Sequence, residues 1–212
     1  MDTPDLLVDG PADREPAVVL AHGAGAPMDS PFLASVARGL AEAGWRVVRF
    51  EFPYMRRRRA GGSRRPPDAA PVLRDAWLDL IERLGGGSRL VVGGKSLGGR
   101  IASMVADEAG ARGLVCLGYP FHPPGQSERL RTAHLATLGT PTLIVQGSRD
   151  ALGSRDEIAA YRLSPRIQIE FIEDGDHSFR PRASSGRTES QNLQEAVAAV
   201  ARFVAGLQAR AT

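Results

Sequence analysis

Short runs of consecutive apolar residues alternate along the chain with longer stretches in which apolar residues recur at helical spacing. Runs of this length and unbroken apolar character are typical of strands buried on both faces of a sheet. They predict strands at residues 17–21, 46–50, 90–92, 113–117, 142–145 and 167–172. The longer stretches predict helices at residues 31–43, 69–84, 97–109, 127–137, 154–163 and 189–208.

The regular alternation of strand and helix, with short connections, indicates the class of fold. Consecutive parallel strands need a crossover, usually a helix, so the pattern predicts a mostly parallel sheet of about six or seven strands with helices on both faces. No linker, internal repeat or change of composition divides the chain, and we predict one α/β domain over residues 1–212. Residues 1–15 are expected to form an irregular N-terminal segment.

The most informative motif joins the third predicted strand to the helix that follows it. Residues Gly94-Lys95-Ser96-Leu97-Gly98 form a Gly-x-Ser-x-Gly pattern between these two elements. In the order strand, turn, helix, this pattern is typical of a nucleophile elbow, which holds a serine hydroxyl clear of the strand end. The flanking glycines leave room for the sharp turn, and the helix N-terminus favours a developing negative charge. A glycine-rich turn with an incidental serine is the alternative interpretation.

A serine nucleophile needs a base, and the base needs an acid that orients it. Among the four histidines, His177 follows the last predicted strand in a Gly/Asp loop that could bring its imidazole to the sheet edge. Asp150 ends the short turn after the fifth predicted strand and is the candidate acid. The chain order Ser96, Asp150, His177 is the order of the α/β-hydrolase triad, and these three residues are the predicted catalytic groups.

Other roles are open to the acid and the base. Asp150 could cap the helix predicted at residues 154–163, and His177 could be a solvent-exposed loop residue. Asp174 and Asp176 are alternative acids, but they are too near His177 in sequence to orient its ring easily. The occurrence of all three residue types in the right order favours the triad over these separate explanations.

A glycine-rich loop after the first predicted strand supplies the remaining part of such a site. Residues His22-Gly23-Ala24-Gly25-Ala26 precede a helix and can aim a backbone N–H at a tetrahedral intermediate. The predicted oxyanion-hole donors are the backbone amides of Ala24 and Leu97. His22 is expected to shape this loop rather than to act as a second base.

A basic segment, Arg56–Arg59, follows the second predicted strand and is continued by Gly61-Gly62-Ser63-Arg64-Arg65. We interpret it as a solvated Gly/Pro-broken loop rather than a helix face. Because it leaves the edge where open α/β sheets bind ligands, its arginines could instead attract a substrate bearing a carboxylate or phosphate. Lys95 could pair with a carboxylate beneath the elbow, tune Ser96, or bind an anionic substrate. The candidate substrate contacts are Lys95, Tyr54, Arg56 and His122.

Composition and charge exclude several classes of protein. The hydrophobic fraction of 42% suits a globular domain, and no apolar run approaches the roughly 18 residues that span a bilayer. The formal charge is +3, but the aromatic content is only 6% and no nucleic-acid-binding motif occurs, so neither nucleic acid nor membrane is an expected partner. No metal-ligand spacing or dinucleotide fingerprint occurs, so no cofactor or metal is expected. An exposed edge strand could pair two copies as a homodimer.

The single cysteine, Cys116, bears on the cellular location. One cysteine cannot form an internal disulfide, and the N-terminus lacks the basic and apolar regions of a secretory signal, so a cytoplasmic location is expected. Cys116 lies in the apolar run at residues 113–117, where we expect a small buried hydrophobe rather than a reactive thiol.

Over nearly its whole length the chain resembles the α/β-hydrolase superfamily. More narrowly, it is similar to small dienelactone-hydrolase-like proteins, a group that includes a domain of an animal chromatin-complex subunit and a testis-expressed relative. Two departures stand out: Lys95 occupies a position where many esterases carry histidine, and the connection at residues 119–129 is too short for a lid. Dienelactone hydrolases proper use a cysteine nucleophile, whereas this chain has serine. The segments that carry the resemblance are residues 22–30, 52–55, 94–99, 119–124, 146–150 and 175–178.

The resemblance and the motifs together predict a serine hydrolase that cleaves an ester, thioester or lactone through an acyl-enzyme. Its expected partner is a small acyl substrate, which could be anionic if the basic segment contacts it. The alternative is a catalytically silent module that keeps the fold for protein interaction.

Overall fold

The computed structural model describes residues 6–63 and 66–209, which form a seven-stranded sheet between two layers of helices. The strands lie in the order β1-β3-β2-β4-β5-β6-β7, and every neighbouring pair is parallel except β1 and β3. This confirms the predicted α/β domain with a mostly parallel sheet. The strands are β1 (Leu7–Asp9), β2 (Ala17–Ala21), β3 (Val47–Phe50), β4 (Leu90–Lys95), β5 (Gly113–Leu117), β6 (Thr142–Gly147) and β7 (Ile167–Ile172).

The helices cover both faces of the sheet. Those in the described residues are α1 (Pro31–Glu42), α2 (Pro53–Arg59), α3 (Ala70–Arg83), α4 (Leu97–Ser103), α5 (Arg155–Ile158) and α6 (Glu189–Ala209). Apolar residues of α1 and α6 form one core cluster with the sheet, and those of α2, α3 and α4 form the cluster on the other face. In β2, Val18 and Leu20 belong to the first cluster and Val19 to the second, since successive strand side chains point to opposite faces. Burial on both faces explains why β2 is apolar throughout.

The N-terminal segment differs from the prediction. The sequence predicts irregular structure over residues 1–15, but Leu7–Asp9 forms β1 and pairs antiparallel with β3. The Arg49 guanidinium fixes this edge by donating to Asp9 Oδ2 at 2.9 Å. Three residues are too few for an apolar pattern to stand out, so the strand depends on its tertiary partner. Residues 1–5 lie outside the described part of the chain.

The basic segment also differs from the prediction, because Pro53–Arg59 is a helix rather than a loop. Pro53 suits the first helical position, and Tyr54 and Met55 bury one side of the helix against the core. The arginines project from the other side of the helix. There Arg57 forms an ion pair with Asp68, and Arg59 forms ion pairs with Asp29 and Glu51. Arg64 and Arg65, which the sequence places in the same basic segment, lie outside the described residues.

Three other predicted helices are shorter than expected. The helix predicted at residues 97–109 ends at Ser103, and the one at 154–163 is the single turn Arg155–Ile158. The segment 127–137 contains only a 3₁₀ turn at Ala133–Ala136. Residues 118–132, where a lid would be inserted, hold no helix, in agreement with the predicted absence of a lid. Within the described ranges, no helix has the length and apolar character needed to cross a membrane.

Candidate active site

Ser96 occupies the sharp turn between the central strand β4 and helix α4. Its backbone angles, φ 52° and ψ −113°, are strained for a residue with a side chain. Gly94 and Gly98 make the turn possible, because a Cβ atom on either one would overlap the carbonyl oxygen of Ala21 on the neighbouring strand β2. The predicted elbow is therefore present in the structure, and both flanking glycines are required by the close approach of β2.

The structure brings Ser96, His177 and Asp150 together at the carboxyl ends of β4, β7 and β6. His177 Nε2 lies 2.9 Å from Ser96 Oγ, and His177 Nδ1 lies 2.7 Å from Asp150 Oδ2. The imidazole side chain is 29% exposed and the Asp150 side chain is fully buried. In the tautomer that satisfies both contacts, Nδ1–H donates to the carboxylate and Nε2 accepts from the serine hydroxyl.

The buried Asp150 carboxylate is held by several donors. Gln146 Nε2 donates to Oδ2 at 2.8 Å, and the Leu152 backbone N–H donates to Oδ1 at 2.8 Å. These bonds fix the oxygen that faces His177 and compensate for the loss of water around a buried charge. The sequence analysis assigns no role to Gln146. Its position near the end of an apolar strand could have indicated a polar contact at the site.

The alternatives to Asp150 are engaged elsewhere. Asp174 accepts from the Arg182 backbone and side chain, and this pairing holds its pKa at about 2. Asp176 accepts from the backbone N–H groups of Ser178 and Arg180. Helix α5 is capped by Ser154 in a capping box with Glu157, so Asp150 does not act as its N-cap.

The loop after β2 lies beside the elbow. A Cβ atom on Gly23 would lie 3.8 Å from Ser96 Cβ, and Leu97 begins the helix that follows Ser96. His22 is buried, donates from Nδ1 to the Gly23 carbonyl at 2.7 Å, and accepts at Nε2 from the Phe52 N–H at 3.1 Å. Burial lowers the pKa of His22, which favours this neutral form. His22 thus shapes the loop, as the sequence predicts.

Tyr54, a candidate substrate contact, is instead buried beneath this loop. Its hydroxyl lies 3.1 Å from the Ala24 carbonyl oxygen and 3.3 Å from that of Gly23, and donates to this pair. Burial raises the pKa of Tyr54, so the hydroxyl keeps its proton and remains a donor. The Gly23 carbonyl shares one planar peptide unit with the Ala24 N–H, so the contact from Tyr54 restricts the orientation of that N–H.

The other candidate contacts have different surroundings. His122 is buried, with Nδ1 at 2.9 Å from the Pro123 carbonyl and Nε2 facing Glu157 Oε1 at 3.3 Å. Arg56 is half-buried on α2, and its side chain makes neither an ion pair nor a hydrogen bond within the described part of the chain.

Lys95 contacts the base rather than a carboxylate. Its ammonium donates to the His177 carbonyl oxygen at 2.6 Å and lies 5.5 Å from the centroid of the Phe32 ring. Burial lowers the pKa of Lys95 to about 8, whereas the charges of Asp150 and Asp176 act in the opposite direction. None of the salt bridges among residues 6–63 and 66–209 includes Lys95, so the carboxylate pairing considered from the sequence is absent.

A second serine–histidine contact lies outside this site. Ser103 Oγ is 2.8 Å from His134 Nε2, but the same hydroxyl donates to the Arg100 carbonyl at 2.7 Å. Because a hydroxyl has one proton, Ser103 accepts from His134, and the imidazole does not serve it as a base. Burial and the positive charge of Arg100 lower the pKa of His134. Ser103 is itself buried, so this pair is not suited to nucleophilic attack.

Two further kinds of reactive site, a free thiol and a metal centre, can be assessed in the described residues. Cys116 is buried, and burial raises the pKa of its thiol, which matches the predicted structural role. No group of three or more His, Cys, Asp or Glu side chains in the described ranges could hold a metal ion. A groove of about 390 Å³ between α6 and the starts of β6 and β7 shares no residue with the site.

Comparisons with known proteins agree with the geometry. The sequence matches the family of alpha/beta hydrolase domains over residues 14–205. An α/β serine hydrolase without a lid from Xanthomonas campestris is 20% identical, with 91% of this chain and 85% of that chain covered and a TM-score of 0.64. A dienelactone hydrolase from Anabaena variabilis is 19% identical, with coverages of 93% and 89% and a TM-score of 0.66.

Est1E from Butyrivibrio proteoclasticus is 14% identical, with coverages of 96% and 94% and a TM-score of 0.71. It has also been solved with ferulic acid bound. Identities this low support the fold alone, and the predicted α/β-hydrolase fold is confirmed. The resemblance to the animal chromatin-subunit group stays a prediction.

Proposed function

The chain belongs to the α/β-hydrolase family, and from this premise we propose that it is a serine hydrolase acting on an ester-like acyl substrate. The observation that carries the proposal is the bridging position of His177, 2.9 Å from Ser96 Oγ and 2.7 Å from Asp150 Oδ2. Those distances are the ones that proton transfer between nucleophile and base requires.

In the proposed reaction, His177 Nε2 takes the hydroxyl proton as Ser96 Oγ attacks the acyl carbonyl. The bond to the leaving group then breaks, and the His177 imidazolium returns the proton to it. A water molecule, deprotonated by His177, hydrolyses the acyl-enzyme and regenerates Ser96. Asp150 keeps the proton on Nδ1 and stabilises the imidazolium throughout.

The proposed oxyanion hole consists of the backbone N–H groups of Ala24 and Leu97. Leu97 is the first residue of α4, so its N–H has no partner within the helix and is free for a ligand. Tyr54 supports the Ala24 N–H through its contact with the Gly23 carbonyl, which belongs to the same peptide unit. Preorganised donors of this kind are worth about 3 kcal/mol each in the transition state.

The proposed substrates are small esters, thioesters or lactones that enter an open site, since residues 118–132 contain no lid helix. Arg57 and Arg59 form ion pairs with carboxylates, and the Arg58 guanidinium lies over the Tyr54 ring. Arg56 is therefore the proposed contact for an anionic acyl group. A panel of esters that vary in chain length and charge tests this, with Arg56→Gln expected to raise KM for anionic members only. An equal effect on neutral esters contradicts it.

Replacement of the nucleophile tests the central proposal. We expect Ser96→Ala to lower turnover of short p-nitrophenyl esters by about 10³-fold or more, since it removes the attacking atom. Ser103→Ala is the matched control, because it removes the other histidine-contacting hydroxyl and should leave turnover at the parental level. Parental activity in folded Ser96→Ala protein contradicts the proposal.

Labelling by a fluorophosphonate separates an active enzyme from a catalytically silent interaction module. The probe should label the parent protein at Ser96, and His177→Ala should label far more slowly because the base is gone. Well-folded parent protein that is not labelled favours the silent module.

A further inference from the structure

Lys95 is unusual in this chain because it is the one lysine among 27 lysine and arginine residues. It stands immediately before the proposed nucleophile and is the last residue of β4. The reaction proposed above gives it no role. A chain that uses arginine everywhere else has a compact, titratable ammonium at this one position.

The surroundings of the ammonium explain why an arginine would not replace it directly. Nζ lies over the Phe32 ring and donates to the His177 carbonyl oxygen at 2.6 Å. Gly118 lies close to the ammonium on another side. If Gly118 carried a Cβ atom, that atom would lie only 3.0 Å from Lys95 Nζ. The space between α1, β5 and the His177 loop therefore fits a single nitrogen atom better than a planar guanidinium.

Two adjacent residues of the elbow thus contact the same histidine. Ser96 meets the His177 ring, and Lys95 meets its backbone carbonyl. The loop of His177 follows Asp174, a non-glycine residue with φ 53°, and its ends are held by backbone and side-chain bonds at Gly175 and Phe179. At the backbone of His177 itself, the bond is the one from Lys95. A charge-assisted bond to the carbonyl fixes how far the ring stands from Ser96 Oγ.

We propose that Lys95 is a positioning residue for His177, in which the protonated ammonium clamps the loop of the base to the elbow and releases it when the ammonium loses its proton. This inference rests on the proposed function of Ser96 and His177. The charged groups that act on the ammonium are Asp150 and Asp176, and both favour the protonated form.

The Lys95 ammonium should lose its proton near pH 8. Burial brings the pKa of Lys95 to about 8, against 10.5 for an ordinary lysine. Above pH 8 the neutral amine makes a weaker bond to the His177 carbonyl, so turnover should decline there. The same charge also favours the oxyanion that forms beside Ser96, so both effects disappear together as pH rises.

The single lysine allows a direct test that needs no activity. Protein labelled with ¹³Cε-lysine should give one lysine signal, with a titration midpoint near pH 8. Amide hydrogen exchange at residues 175–179, corrected for its intrinsic pH dependence, should quicken above that midpoint and should already be fast in Lys95→Met. A midpoint near 10.5, or unchanged exchange in Lys95→Met, overturns the proposal.

Kinetics supply the second test. Lys95→Met should lower kcat by roughly 10- to 100-fold with little change in KM, because the base is misplaced while the substrate pocket is intact. Its remaining activity should lack the decline above pH 8. Lys95→Arg, which cannot titrate in this range, should also lack it. A variant that keeps the decline, or a parental kcat in Lys95→Met, contradicts the positioning role.

Arg112→Met is the matched control, since it also removes a cation that donates to a backbone carbonyl, that of Leu207 at 3.0 Å. Arg112 lies at the opposite end of the strands, so this variant should keep the parental kcat and pH profile. The two proposals fail differently. Absence of Ser96-dependent hydrolysis in the parent removes the proposed function, whereas the labelling and exchange results decide the role of Lys95 by themselves.

Discussion

The buried ammonium of Lys95 should make the stability of the protein depend on pH in a way that Lys95→Met removes. Lys95 has a pKa of about 8 in the folded protein and an ordinary value of 10.5 when the chain is unfolded. Between these values the unfolded chain binds more protons than the folded one, so the free energy of unfolding rises with pH. Below pH 8 both states carry the proton, and Lys95 contributes no pH dependence.

The magnitude follows from the two pKa values. Their difference corresponds to about 3 kcal/mol, most of which falls between pH 7 and pH 10. In Lys95→Met the burial penalty is gone, but the His177 carbonyl loses its donor, which costs about 1–3 kcal/mol. At pH 7 the two effects nearly cancel, and we expect the variant to be about as stable as the parent. At pH 10 the parent should be more stable than Lys95→Met by roughly 2–3 kcal/mol.

Urea unfolding of both proteins at pH 7, 8, 9 and 10 measures this difference, because the titrations that the two proteins share cancel when one curve is subtracted from the other. The Arg112→Met control should show a constant difference from the parent, since arginine stays charged over this range. A Lys95→Met difference that is also constant from pH 7 to pH 10 refutes the reasoning. If Lys95→Met is as stable as the parent at neutral pH but has a lower kcat, the charge of Lys95 contributes to catalysis and not to stability.

Three further substitutions test other parts of the site. Asp150→Asn should lower kcat by about 10⁴-fold without unfolding the protein, because the amide favours the wrong tautomer of His177; a loss under tenfold contradicts the assigned acid. Tyr54→Phe should lower kcat for ester turnover by roughly tenfold and the free energy of unfolding in urea by about 1 kcal/mol, because the loop carbonyls lose their donor. An unchanged kcat contradicts this role. Gly98→Ala should lower the free energy of unfolding, measured in urea, by about 3 kcal/mol or more, because the added Cβ atom would overlap the Ala21 carbonyl. A variant as stable as the parent would disprove that overlap.

The strands of the core could be predicted from the sequence because each is long enough and apolar enough to be recognised alone. Six of the seven were found in this way, with ends that differ by only a few residues. The elbow was also predictable, since its glycines and serine follow one another directly. The triad needed one more premise, namely that the ends of parallel strands meet at one edge of the sheet.

What the sequence did not predict depends on contacts between distant residues. Helix α2 is stabilised partly by ion pairs of its arginines with Asp68, Glu51 and Asp29, and the sequence pattern does not indicate which carboxylates pair with them. The same is true of Lys95, whose partner is a backbone carbonyl. Every residue has a carbonyl, so no residue type could have marked the His177 contact in advance.

The glycines around Ser96 also determine where the substrate range of this protein can be changed. On Gly93, Gly94, Gly98 or Gly99, a Cβ atom would run into the backbone of a neighbouring strand or of the elbow itself. The floor of the site therefore tolerates almost no variation. The exposed residues Gly25 and Ala26 are under no such restriction, and a Cβ atom on Gly25 would meet nothing within 4 Å. Libraries built to alter specificity should vary this part of the loop and leave Ala24, β4 and the start of α4 untouched.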